Sequence, residues 1–245
     1  MTRGLFVLYG GIAYLIFFAT FLYLIGFLCN FPLLPLTIDR GPETGATIAF
    51  VADAALIALF GVQHSVMARP GFKRAWTRIV PPPIERSTYV LVTSAVLILL
   101  FVAWRPLPAS IWHVDNRVGI YALWAIFGLG WGIVLLSTFL INHFELFGLK
   151  QVWLSLTGKS GTAPKLRRPF FYKLVRHPLY SGFLLAFWAT PAMSLGHLVF
   201  ALGMSAYILI AIRFEERDLV DVFGSDYEVY QREVGMLAPG IGKRG

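Results

Sequence analysis

Four apolar stretches, at residues 5–28, 46–66, 88–104 and 118–140, and a longer one at 179–213 decide what this chain can fold into. The first carries no charge at all. A bilayer core about 30 Å thick takes about 20 apolar residues as a spanning helix. Inside it every backbone polar group must find its partner within protein. A water-soluble domain of 245 residues could not hide a composition that is 57% hydrophobic and 14% charged, with a mean hydropathy of +0.69. The expected fold class is therefore all-α, a polytopic integral membrane helical bundle. Residues 5–28 exceed the roughly 7–15 apolar residues of a signal peptide and lack a small-residue cleavage site, so they are expected to stay as the first span. Cys29 is the one cysteine, which excludes an intramolecular disulfide.

The intervals between these stretches set the topology. A loop at 29–45 holds Pro32, Pro35 and Pro42, and a basic loop at 67–87 holds Arg69, Lys73, Arg74, Arg78 and Arg86, with Pro81-Pro82-Pro83 read as a stop signal. Asp53 interrupts the second stretch. A membrane carboxylate usually faces the bundle interior, so its expected partner is a Ser, Thr or Tyr of a neighbouring helix, with a transport role as the alternative. Gly128, Gly130 and Gly132 are expected to form a small-residue packing face. Pro191, Ser194 and Gly196 break the last stretch near its midpoint. That break predicts a hairpin with two arms of about 17 residues, about 25 Å each.

The count is then five to six transmembrane helices. With the N-terminus in the cytoplasm, 18 of the 21 Lys and Arg residues fall on the cytoplasmic side, leaving Arg40, Arg105 and Arg117 outside. Both termini are then cytoplasmic. The net charge of +8 points to anionic lipid at that face and not to nucleic acid. The expected organisation is a single domain over 1–245: four spans in 1–140, a cytosolic loop at 141–177, a helical hairpin at 178–214 and a cytosolic tail at 215–245 covering a cofactor pocket.

This topology gathers the unusual polar residues at one membrane level. His64 closes the second span, Glu85 and Arg86 precede the third, and Asn142, His143 and Glu145 follow the fourth. Arg176 and His177 open the last stretch, with Pro178 suited to a first helical position and His177 to the N-cap. Glu215 and Glu216 close it, where carboxylates oppose the helix dipole. Local pairing with Arg213 or Arg217 would explain them, and so would a ligand. That ligand needs an anionic part for the helix start and a cationic or hydroxyl-bearing part for the carboxylates. S-adenosylmethionine meets both needs, whereas the phosphates of ATP would be repelled without a metal. No histidine or cysteine spacing fits zinc, and no metal is expected. Gly158-Lys159-Ser160 is not a phosphate loop, because Trp153 stands where its first glycine belongs.

Arg176-His177-Pro178-Leu179-Tyr180-Ser181-Gly182, the apolar hairpin, Glu215-Glu216 and Phe223-Gly224 followed by Tyr227 and Tyr230 resemble the C-terminal signature of the membrane methyltransferases related to isoprenylcysteine carboxyl methyltransferase and phospholipid methyltransferases. Upstream, residues 63–69, 85–89 and 142–149 resemble the NnrU-like branch, and within it the sequence is most similar to the methanethiol S-methyltransferases. The resemblance implies S-adenosyl-L-methionine as co-substrate, a small volatile thiol as acceptor and dimethyl sulfide as product, in a bacterial inner membrane. It implies cofactor contacts from His143, Glu145, Arg176, His177, Tyr180, Gly182, Glu215, Glu216, Tyr227 and Tyr230. Thiol activation is expected from His64, Arg86 or His143. Carboxyl or lipid methylation and a non-catalytic NnrU-type role are the competing readings.

Overall fold

The computed structural model describes residues 2–161 and 165–243. Arg244, one of the cytoplasmic basic residues counted above, lies outside the described residues. In chain order the helices are α1 (Thr2–Leu28), α2 (Ala46–Ala68), α3 (Pro70–Trp76), α4 (Pro82–Ala103), α5 (Arg117–Ile141), α6 (His143–Leu146), α7 (Leu149–Thr157), α8 (Pro178–Trp188), α9 (Leu195–Phe223) and α10 (Ser225–Glu233). A 3-10 turn occupies Phe170–Lys173, and the short strands β1 (Ser110–His113) and β2 (Ala192–Ser194) pair with each other. Among the described residues five helices are long and apolar enough to cross a membrane: α1, α2, α4, α5 and α9. Leu8, Leu15 and Leu22 of α1 and Leu129 and Leu136 of α5 stay exposed, as a lipid-facing surface requires. The protein is an all-α integral membrane bundle.

The chain divides into two compact units. The first comprises Met1–Ile111, Phe144–Thr162 and Ser194–Gly203. Here α4 packs on α1 and α2, and the Tyr9 hydroxyl meets Thr88 Oγ1 at 3.0 Å. Phe27, Leu100 and Trp104 form its buried heart. α4 begins at Pro82, six residues before the span expected from apolarity. The proline run starts this helix instead of stopping one, since the first helical turn needs no N–H donor. Part of the segment expected to be a plain cytosolic loop is helical and lies along α1. Phe147 stacks on Phe17 at 4.0 Å, and Val152 is buried beside Gly10. Asp53 Oδ1 accepts a hydrogen bond from the Arg105 backbone N–H at 2.9 Å, so its partner is a main-chain group just past α4, not a neighbouring hydroxyl.

The second unit comprises Trp112–His143, Ala163–Met193 and Met204–Gly245. α8 lies on α5 with their backbones in near contact. A Cβ on Gly182 would come 2.6 Å from the Gly130 carbonyl oxygen, and one on Gly130 would come 2.7 Å from that of Gly182. Trp131 wedges between Phe183 and Phe187 beside this crossing. Gly128 and Gly132 meet nothing within 4 Å, so Gly128, Gly130 and Gly132 do not form one face. Alternate residues on a helix lie about 200° apart, and only Gly130 points at α8.

The hairpin is also less even than expected. α8 has 11 residues, a rise of about 16 Å, and the extended stretch 189–194 adds about 20 Å. One arm is half helix and half extended chain, and the other is a 29-residue helix that runs past Glu215 and Glu216 to Phe223.

Gly182→Ala is expected to lower stability by about 1–3 kcal/mol through overpacking. Gly128→Ala should be neutral or slightly stabilising, because its site is open and alanine restricts the unfolded chain. Thermal unfolding of the two variants in the same detergent checks the contrast.

Candidate functional site

The second unit brings together the charged residues that the sequence places at the two ends of the hairpin. His177 caps α8 with Pro178 at its first position, as expected. Arg176, His177 and Glu216 are all buried. Arg176 Nε donates to Glu216 Oε1 at 2.7 Å, and His177 Nε2 lies 3.1 Å from the same oxygen. Glu216 Oε2 accepts from Gln231 Nε2 at 3.0 Å. The dipole argument for these carboxylates does not hold, because both sit inside a continuing helix. Their pairing is with Arg176 and His177 across the hairpin, not with Arg213 or Arg217. Consecutive helical positions differ by about 100°, so Glu215 turns outward. Its side chain is 42% exposed and accepts a hydrogen bond from the Tyr180 hydroxyl at 2.9 Å.

Arg176 also anchors the C-terminal segment. Its guanidinium donates to the carbonyls of Gln231, Val234 and Gly242, while its own backbone N–H donates to Gly235 O at 2.8 Å. The His177 N–H reaches Met236 O, and Ser181 Oγ reaches Leu237 O at 2.7 Å. Gly235 is required there, since a Cβ would lie 2.1 Å from the Ala238 carbonyl oxygen.

Tyr227 and Tyr230 are core residues, each 2% exposed, packed with Val234, Leu166, Leu219, Val220 and Phe223. Tyr230 donates to Tyr172 O, and burial pushes its phenol up to about 12. Burial, reinforced by the Glu216 and Glu215 carboxylates, raises Tyr227 as well. Gly182, expected on the cofactor side, serves the α5–α8 contact.

His143 lies just past α5 and is buried. Its ring stacks on Phe139 at 4.2 Å and 4°, and its Nδ1 is 2.8 Å from Thr138 Oγ1. Burial lowers its pKa from the ordinary histidine range, so it is neutral at pH 7.

The first unit brings together two more of the expected residues. His64 and Arg86 meet around Tyr89. The Tyr89 hydroxyl is 3.0 Å from His64 Nδ1 and 2.9 Å from Nε2, and the Arg86 guanidinium sits 5.2 Å from the Tyr89 ring centroid. Arg86 Nε donates to Leu146 O at 2.8 Å. Glu145 pairs with Lys150 at 2.7 Å. Among the described residues no group of three or more His, Cys, Asp and Glu side chains has the arrangement of a metal site.

No family model and no solved structure matches the chain. Among curated proteins, it is 52% identical over 239 residues to Methanethiol S-methyltransferase of Mycobacterium tuberculosis, covering 98% of both chains. It is 49% identical over 244 residues to the protein of the same name from Crocosphaera subtropica, covering 100% of this chain and 95% of that one. The chain belongs to the methanethiol S-methyltransferase family. A more distant similarity, 28% over 178 residues, links it to Nurim of Xenopus laevis, with 68% of this chain and 61% of that one covered.

For a methanethiol S-methyltransferase family member, two residues of these clusters escaped the sequence reading, Gln231 and Thr138, and Tyr89 entered it only as part of a motif. Gln231 and Thr138 are buried polar residues in otherwise unremarkable helical sequence, and only their partners reveal them. Tyr89 lies one helical turn from Arg86, a spacing that puts both on one face of α4.

Removing one partner of a buried ion pair leaves the other charge uncompensated. Glu216→Ala is therefore expected to destabilise the protein by about 3–5 kcal/mol. Glu215→Ala loses one hydrogen bond at a solvated carboxylate, about 1 kcal/mol. Denaturation midpoints of the two variants, and protease accessibility of residues 234–242, check the difference.

Proposed function

We propose that this protein transfers a methyl group from S-adenosylmethionine to methanethiol, giving dimethyl sulfide and S-adenosylhomocysteine. The observation that carries this is the similarity to proteins named methanethiol S-methyltransferase at about half identity over nearly the full chain. The reading takes residues 1–245 as one methyltransferase domain in a bacterial inner membrane, with both termini cytoplasmic, as the distribution of Lys and Arg indicates.

The residues of the second unit fit the donor. Glu215 is a half-exposed acceptor oriented by Tyr180, suited to the ammonium or ribose hydroxyls of S-adenosylmethionine. Beside it the buried Arg176, His177 and Glu216 fix the end of the hairpin, and Tyr227 and Tyr230 remain contacts proposed from the resemblance. Glu145 remains a contact proposed from the resemblance alone. The bound donor supplies an electrophilic methyl group on a sulfonium. What the protein must supply is a thiolate, since the thiol itself is a poor nucleophile.

His143, neutral at pH 7, takes the thiol proton in this reading. The thiolate sulfur then forms its bond to the methyl carbon as the carbon–sulfonium bond breaks, and the proton passes on to solvent. A second reading places thiolate activation at His64 and Arg86, favoured by their meeting around Tyr89.

Purified protein given both substrates is expected to produce dimethyl sulfide, detected in the headspace. Methylation of a prenylated cysteine or a lipid in its place would overturn the acceptor. Glu215→Gln should raise the KM for S-adenosylmethionine roughly 10- to 150-fold. The sign of the pH dependence follows from His143. A base must be unprotonated, and burial lowers its pKa, so the rate should hold from pH 8 down and fall only below about 6.5. His143→Gln should remove that acid limb. An unchanged limb there, with its loss in His64→Gln, selects the second reading.

A further inference from the structure

Thr138 sits three residues before the end of α5, and its hydroxyl has two neighbours. Oγ1 lies 2.7 Å from the carbonyl oxygen of Leu135 and 2.8 Å from Nδ1 of His143. A hydroxyl carries one hydrogen and two lone pairs. The Leu135 carbonyl can only accept, so the hydroxyl hydrogen belongs to it. The remaining contact at His143 Nδ1 is then satisfied only if Nδ1 carries the proton and Thr138 Oγ1 accepts it. A neutral imidazole protonated at Nδ1 has its lone pair on Nε2. Thr138 is 6% exposed, and the ring is held face to face with Phe139, so neither partner can turn away to water without breaking the packing.

We infer that Thr138 is a positioning residue that fixes the tautomer of His143 and so directs its basic nitrogen, Nε2, to the reaction. This rests on the reading of His143 as the thiol base. The chain of control is short: the Leu135 carbonyl orients the hydroxyl, the hydroxyl selects the protonated nitrogen, and the basic lone pair falls on the opposite nitrogen. The helix that crosses the membrane thus sets the proton-accepting side of a residue just beyond its own end.

Thr138→Val keeps the shape of the side chain and removes the acceptor. It is expected to lower kcat about tenfold or more, at the lower edge of what a general base contributes. The KM for S-adenosylmethionine should stay within about twofold of the parent. Thr138→Ser restores the hydroxyl and should recover most of the rate. Histidine nitrogen NMR of the full-length protein in detergent, assigned by comparison with His143→Gln, should show His143 protonated at Nδ1 in the parent and redistributed in Thr138→Val. Full turnover in Thr138→Val, equal loss in the valine and serine variants, or an Nε2-protonated parent would each overturn the inference. Full turnover in His143→Gln would overturn the base assignment itself and the catalytic role of Thr138 with it. That failure is distinguishable, because the parent spectrum would still show the tautomer that Thr138 selects.

Discussion

A guanidinium buried at the head of a helical hairpin is the constraint on which the second unit depends. Arg176 is 3% exposed, and a charge so placed costs several kcal/mol unless it is neutralised and its donors are filled. Glu216 supplies the charge, and three carbonyls of the C-terminal segment supply acceptors. Each of these demands fixes a piece of structure. α9 must stay helical long enough to deliver Glu216. α10 must follow closely enough to bring Gln231. The chain after Val234 must turn back beside residues 175–177. Satisfying one cation organises the hairpin's open end and leaves Glu215, on the adjacent helical face, as the exposed carboxylate.

The same separation of interior from reactive groups recurs at His143. Its polar partner is a hydroxyl already committed to a helix carbonyl, and its ring lies flat on Phe139. In each case a residue that carries no chemistry limits the states open to one that does. Such arrangements suit a membrane enzyme with a very small acceptor. A substrate offering one sulfur and one methyl group provides little binding energy with which to order a loose site, so the order must be built in.

Apolarity made the spans legible. The expected first, second and fourth stretches match α1, α2 and α5 to within three residues at each end. The third fails at its start because Pro81-Pro82-Pro83 is ambiguous in sequence: proline ends one helix and begins the next with equal ease. α7 was hidden because it is only nine residues long and its partner, Gly10, is distant in sequence. α9 looked shorter than it is because Arg213 to Asp218 are polar, which marks the end of a membrane span but not of a helix. In the site, the meeting of Arg176, His177 and the two glutamates could be read from topology. Which glutamate faces inward could not, because it depends on the helical phase of α9. The burial of Tyr227 and Tyr230 could not be read either, because it depends on how α10 packs against the end of α9.

The uneven hairpin has a consequence for how this crossing stands in hydrocarbon. A stretch of extended backbone cannot enter hydrocarbon by itself, because its N–H and C=O groups lack partners within the segment. The carbonyls of Thr190 and Pro191 obtain theirs from elsewhere: Trp112 Nε1 donates to Thr190 O, and the Val114 N–H donates to Pro191 O. Both donors belong to the connection that precedes α5. The segment that follows α8 can therefore lie in hydrocarbon only with the connection before α5 beside it, so the crossing that contains α8 depends for its backbone partners on a part of the chain some 80 residues upstream.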